Sequence, residues 1–216
     1  MIAVIDYGMG NLRSVQKAFE SLGTGALVTR EPEAVLAADG VVLPGVGAFR
    51  QAMDNLCAFG LDSIVKQVIA SGKPFLGICL GLQLLFEESD EFGATCGLGV
   101  IPGRVIKFTG PAFAGPEPLK IPHMSWNSLH KLQETPLLAG VPEGAMMYFV
   151  HSYYGAPTDP SWIATTTDHG VAFCSSVCRE NVFAMQCHPE KSGVVGLRIL
   201  QNFANSLPGY CSTKEG

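Results

Sequence analysis

The sequence predicts an α/β fold: a single doubly wound, mostly parallel sheet flanked by helices, with an antiparallel β extension in the second half. Three observations predict it. Short β-branched apolar runs alternate with helical patterns through the first half, glycines punctuate the ends of those runs, and from about Gly97 the texture changes to β-rich segments separated by proline and glycine. The 216 residues fit one domain spanning 1–216, a size that buries roughly 70 to 75 % of the unfolded surface.

Each element follows from its local pattern. The opening IAVID is a strand, Gly8, Gly10 and Asn11 form a turn, and Leu12 to Leu22 is helical. Ala26 to Thr29 and GVVLPG at 40–45 are strands, the second leading into a helix over Ala48 to Ala58. Ile64, Val65, Val68 and Ile69 fall at helical spacing in Asp62 to Ser71, and PFLGI at 74–78 is a strand that enters a helix over Leu80 to Glu88. In the second half GVIPGRVIKF, MMYFV and Trp162 to Thr167 read as strands, and Val171 to Met185 as a hairpin. Gly110 to Pro118, small and proline-rich without periodicity, is an exposed loop. Val194, Leu197, Leu200, Phe203 and Leu207 make the stripe of a last helix that stops before Pro208 and Gly209, with a loose tail expected after it.

Composition narrows the function. The chain is 47 % hydrophobic and 15 % charged, yet no uncharged apolar stretch nears the ~18 to 20 residues of a membrane span. MIAVIDYGMGNLRSV has no basic region ahead of an apolar run, so a cytoplasmic protein without a signal peptide is expected. Seven cysteines in no regular framework predict reduced thiols rather than a disulfide scaffold. A net charge of −5 with no Lys/Arg cluster argues against nucleic acid. His123 and His151 stand apart from any ligand cluster and no CxxC pair occurs, so structural histidines, no metal and no cofactor are expected.

Three motifs carry chemistry. Gly77-Ile78-Cys79-Leu80-Gly81 follows a strand and opens a helix, the setting of a nucleophile elbow, and a helix N-terminus favours a thiolate at Cys79. Taken alone, the pentapeptide is equally compatible with a buried, inert cysteine. Cys-His-Pro-Glu at 187–190 ends another strand, and the spacing of His188 and Glu190 lets a carboxylate orient an imidazole. Leu43 to Phe49 ends a third strand, where glycine-rich backbone can aim N–H groups at an oxyanion with Leu80 as second donor; its plain reading is a strand-to-helix turn.

Together GICLGLQLLFE, LPGVGAF and HPEKS resemble the class I, triad-type glutamine amidotransferases over nearly the whole chain. Within that class DYGMGNLRSV, PHMSWN and YFVHSYY resemble the branch of glutaminase subunits serving imidazole glycerol phosphate synthase in histidine biosynthesis. The resemblance implies a Cys79, His188, Glu190 triad that hydrolyses glutamine through a glutamyl thioester. It also implies an oxyanion strand at Gly45, Val46 and Gly47 whose peptide reorients, and substrate contacts at Gln83, Glu91, His151, Ser152 and Tyr153. For Glu91 the run EESDE leaves a solvated acid equally open. The implied partner is a cyclase subunit, in a heterodimer, contacted through Met124, Trp126, Tyr148 and Lys191; read singly, Trp126 and Tyr148 are core aromatics. Two departures are Ser125, where the branch usually has glycine, and a longer 110–118 loop.

Competing readings are the glutaminase of pyridoxal phosphate synthase, a free-standing hydrolase of γ-glutamyl substrates, and a non-catalytic thiol-bearing α/β interaction protein. No GxxxxGK loop occurs, so a phosphorylated substrate of the synthase belongs on the partner.

Overall fold

The computed structural model describes residues 1–208, and its architecture is the expected α/β class. Strands β1 (Ile2–Ile5), β2 (Ala26–Thr29), β3 (Gly40–Gly45) and β4 (Phe75–Cys79) alternate with helices α1 (Leu12–Ser21), α2 (Pro32–Ala37), α3 (Phe49–Ala58) and α4 (Leu61–Ala70). After the single turn α5 (Leu80–Gln83) come β5 (Phe86–Ser89), β6 (Thr95–Cys96), β7 (Ile101–Lys107), β8 (His123–Lys131) and β9 (Ala145–His151). Strands β10 (Tyr153–Pro157), β11 (Ile163–Asp168), β12 (Ala172–Arg179) and β13 (Val182–Met185) lead to the last helix, α6 (Gly193–Asn205).

Nine strands form the main sheet in the order β2-β1-β3-β4-β13-β12-β11-β8-β9. Pairing is parallel from β2 across to β13 and antiparallel from β13 to β9. A separate four-stranded sheet, β10-β7-β5-β6, stands beside it, a subdivision the sequence pattern did not reveal. Strand β13, late in the chain, lies in the middle of the main sheet with Met185 opposite Ile78 of β4. That pairing carries the Cys187-His188 segment to the sheet end where Cys79 sits.

The central strands are buried on both faces, which is why they read as continuous apolar runs. Their side chains nonetheless divide with a period of two: Ala3, Ile5, Val41 and Leu43 join one core cluster, and Ile2, Val4 and Val42 the other. Helices α3 and α4 cover the first with Phe49, Ala52, Leu56, Leu61, Val65 and Val68. Helices α1 and α6 cover the second with Val15, Phe19, Ile199, Leu200 and Phe203. Val194 does not belong to that stripe; it is 83 % exposed in the first turn of α6. The tail expected beyond Gly209 lies outside the described residues.

The predicted helix over Leu80 to Glu88 is corrected to one helical turn followed by strand β5. Leu82, Leu84, Leu85 and Phe86 are all fully buried, so no amphipathic stripe marks a helix face. The backbone of Leu98, Val100 and Ile101 donates to the carbonyls of Leu84 and Leu85, acceptors that a longer helix would have used internally. Helix α2 carries Pro32 at its start and was too short to show in the sequence pattern.

The turn from β4 into α5 presses on the neighbouring strand. A β-carbon on Gly81 would lie 1.8 Å from the Leu43 carbonyl oxygen, which belongs to backbone and cannot rotate away. Gly81→Ala is therefore expected to destabilise the fold by at least ~3 kcal/mol, read as a loss of chemical-denaturation midpoint.

Candidate active site

Cys79 closes β4 at φ 56°, ψ −109°, a backbone conformation costing roughly 1 to 3 kcal/mol for a non-glycine residue. The surrounding sheet and the contact at Gly81 enforce it. The sulfur-bearing residue is 6 % exposed and lines a cleft of about 400 Å³. The helix behind it has only four residues, too few for the long helix dipole that the sequence pattern implied behind the nucleophile.

His188 and Glu190 leave the end of β13 in a short 3-10 turn begun by Pro189. His188 Nδ1 and Glu190 Oε1 are 2.9 Å apart, with side chains 2 % and 1 % exposed. Because the carboxylate accepts, Nδ1 carries the proton and Nε2 is turned over to Cys79. No hydrogen bond of good geometry ties Nε2 to a partner, as is common before substrate binds. Burial opposes charge on His188, but the Cys79 sulfur and the Glu190 carboxylate together outweigh it and raise its pKa. The backbone is fixed as well: His188 N–H donates to the Tyr148 carbonyl at 2.9 Å, and Ser192 Oγ donates to the His188 carbonyl at 2.6 Å while accepting from Tyr148 N–H at 3.0 Å.

The remaining predicted residues converge on the cleft. Val46, Gly47 and Leu80 line it beside Cys79, and Gln83, Glu91, His151, Ser152 and Tyr153 complete the wall. Gly45 lies just beneath, opposite Cys79 in the β3–β4 register. A β-carbon there would sit 2.1 Å from Tyr7 Oη, so glycine is required by this close approach. Glu91 is half-buried rather than simply solvated: its Oε2 accepts the Phe49 N–H at 2.6 Å, at the start of α3.

His151 and His123 are neutral. His151 Nδ1 donates to the Tyr153 carbonyl at 2.8 Å, leaving Nε2 to accept from His123 Nδ1 at 3.1 Å. Burial, aided by neighbouring imidazoles, lowers the His151 pKa to about 3 and that of His123 to about 4. Among the described residues no group of three His, Cys, Asp or Glu is placed to hold a metal.

Strands β8 and β9 turn Met124, Trp126 and Met146 outward at 61 %, 50 % and 49 % exposure. Trp126 faces Tyr148 directly across the pair, ring to ring at 6.2 Å, and Lys191 Nζ lies 6.0 Å from the Tyr148 ring centre. The core assignment of Trp126 and Tyr148 is thereby corrected, since alternation along β8 and β9 sends His123, Phe149 and His151 inward instead. Ser125 is exposed on the same strand.

Gln186, which the sequence reading passed over, donates from Nε2 to Cys79 Sγ at 3.6 Å. A polar residue ending a fully apolar strand, one step before Cys187-His188, was the available signal. Pro122 and Val150 were also missed as cleft walls.

The model of the class-I glutamine amidotransferase family matches residues 3–207. The imidazole glycerol phosphate synthase subunit HisH of Syntrophotalea carbinolica is 56 % identical over 205 residues, covering 95 % of this chain and 100 % of the relative. Its counterpart from Geobacter sulfurreducens is 54 % identical over 202 residues, 94 % of this chain and 97 % of the relative. The chain is a class-I glutamine amidotransferase of the HisH family. Solved structures agree at the level of fold: a glutamine amidotransferase crystal structure aligns with TM-score 0.71 at 17 % identity, covering 95 % of this chain and 98 % of the other. The PurLQS structure from Thermotoga maritima aligns with TM-score 0.69 at 18 % identity, covering 94 % of this chain and 97 % of that one.

In this amidotransferase the elevated His188 pKa has a consequence for stability. A histidine whose pKa is raised on folding stabilises fully below its ordinary range near 6.5, and that contribution is lost as pH rises through the folded value of about 10. Glu190→Gln removes one of the two groups that raise it. The melting-temperature gap between wild type and Glu190→Gln is expected to be widest near pH 6 and to narrow progressively toward pH 10, as followed by calorimetry.

Proposed function

We propose that this chain works as a single amidotransferase domain that hydrolyses glutamine at Cys79 and passes the ammonia to a cyclase subunit, as the glutaminase half of a cytoplasmic imidazole glycerol phosphate synthase heterodimer. The observation that carries the reading is the strained Cys79 at the cleft, backed by an imidazole that a buried carboxylate holds in one tautomer. No helix among the described residues is long and apolar enough to cross a membrane, which is compatible with that location.

The chemistry follows from these positions. The Cys79 sulfur attacks the side-chain amide carbon of glutamine, and the developing oxyanion is received by backbone N–H groups of the Val46-Gly47 segment and Leu80. His188 protonates the departing nitrogen, so that ammonia leaves and a glutamyl thioester remains. Water, deprotonated by His188, then cleaves the thioester, releasing glutamate and restoring the sulfur. Glu190 holds the imidazole throughout. Glu91 supplies a carboxylate for the α-ammonium of glutamine from a position anchored on α3. The exposed Met124, Trp126 and Met146, with Tyr148 and Lys191, have the apolar centre and charged rim of a docking face. That face reaches the site through the hydrogen bond from His188 N–H to the Tyr148 carbonyl.

The test is glutamate release from glutamine by the purified chain, alone and with the cyclase subunit carrying its nucleotide ligand. Activity should rise strongly with the partner and fall at least ~1,000-fold in Cys79→Ser. Turnover indifferent to the cyclase would instead favour the free-standing hydrolase or the pyridoxal phosphate synthase glutaminase. At the docking face, Trp126→Ala should weaken cyclase binding by roughly 2 kcal/mol, about 30-fold in Kd by titration, without altering the fold.

A further inference from the structure

A buried amide outside the triad aims at the nucleophile. Gln186 is 0 % exposed, and besides donating from Nε2 to Cys79 Sγ at 3.6 Å it accepts at Oε1 from Gln83 Nε2 at 3.0 Å. Gln83 Nε2 also donates to the Tyr153 carbonyl at 2.9 Å. That last bond fixes the orientation of both amides. A backbone carbonyl only accepts, so Gln83 must turn its NH2 group to Tyr153; the second N–H of that group then faces Gln186, which must answer with its oxygen. The NH2 of Gln186 is left facing the sulfur. The His151 Nδ1 donor holds the same Tyr153 carbonyl from another side at 2.8 Å.

We infer that Gln83 and Gln186 form a polarised amide relay, anchored on the Tyr153 carbonyl, which keeps a hydrogen-bond donor on the Cys79 sulfur and favours its ionised, attack-ready form before glutamine binds. The inference rests on Cys79 being the nucleophile. Its physical basis is that an N–H bond to sulfur gains strength when the sulfur is charged, most of all where water is excluded. Donation along a chain of amides polarises each successive N–H. Orientation is decisive, because a reversed relay would set the Gln186 oxygen against the thiolate. A second consequence concerns Gln83: both protons of its amide are committed within the protein, so any contact it makes with glutamine is restricted to Oε1.

The experiment is alkylation of the intact chain by iodoacetamide across pH, with modification of each cysteine-containing peptide followed by mass spectrometry. The exposed Cys57 and Cys96 serve as internal references. Gln186→Met should slow labelling of Cys79 at pH 7 by about tenfold, the size of one net hydrogen bond, and move its rate curve to higher pH while the reference cysteines stay unchanged. Gln186→Asn, which keeps the amide but withdraws it from the sulfur, should slow labelling in the same direction, and it decides the matter if Gln186→Met does not fold. In Gln83→Glu the new carboxylate cannot donate, so the Gln186 amide reverses and labelling slows at least as much; in the Gln186→Met background the same change should add nothing. An unchanged Cys79 curve in a folded Gln186 variant overturns the relay, as does a Gln83→Glu effect of equal size in both backgrounds, which would be direct charge repulsion. Wild-type Cys79 reacting no faster than Cys57 and Cys96, with glutamine turnover surviving in Cys79→Ser, would instead overturn the nucleophile assignment itself.

Discussion

The backbone conformation of Cys79 is the constraint on which the site depends. At φ 56°, ψ −109° a cysteine is strained, and the strain persists only because its neighbours leave the chain no alternative. Below it, β4 is locked between β3 and β13. Above it, α5 lies so close to the Leu43 carbonyl that only glycine fits at position 81. The strand cannot slide and the turn cannot relax outward, so the sulfur is held at the wall of the cleft.

Around that fixed point the buried polar groups divide by charge. His188 lies between a sulfur and a carboxylate, which together overcome the cost of burying a cation. His123 and His151 have no acid beside them, and burial keeps both neutral. The division is useful electrostatically, because a charged His151 in the cleft wall would repel both the His188 imidazolium and the α-ammonium of an amino-acid substrate. As neutral rings they instead pass hydrogen bonds in one direction, from His123 to His151 to the Tyr153 carbonyl, and pack within an aromatic cluster in which His123 stacks on Phe149 and His151 meets Phe108 and Phe173 at a tilt.

The placement of β13 connects this chemistry to the outer face. By inserting beside β4 it brings together residues more than one hundred positions apart in the chain, including the 107-residue separation of Cys79 and Gln186. The turn that follows it is hydrogen-bonded to β9 through Tyr148 and Ser192. The outer side of β9 carries Met146 and Tyr148, so the residue that bears the imidazole is hydrogen-bonded directly to the strand that bears the exposed apolar face.

Local chemistry was enough to locate the parallel strands, the elbow glycines, the cysteine between them and the His-x-Glu pair, because each of these is specified by neighbours within a few residues. Periodicity also placed helices α1, α3 and α4 to within a residue or so of their observed ends, since each buries one face. It failed over Leu80 to Glu88, where a segment buried on every side has no polar face to set a period, and at Val194, where an apolar residue merely continues the spacing of the stripe into solvent. Trp126 and Tyr148 could not be assigned from their type, because an aromatic suits a core and an interface equally and only the β8–β9 register decides which way it points. Gln186 was invisible for a related reason: a glutamine has no intrinsic function, and its role arises from a carbonyl and a sulfur that only the sheet order brings within hydrogen-bonding reach.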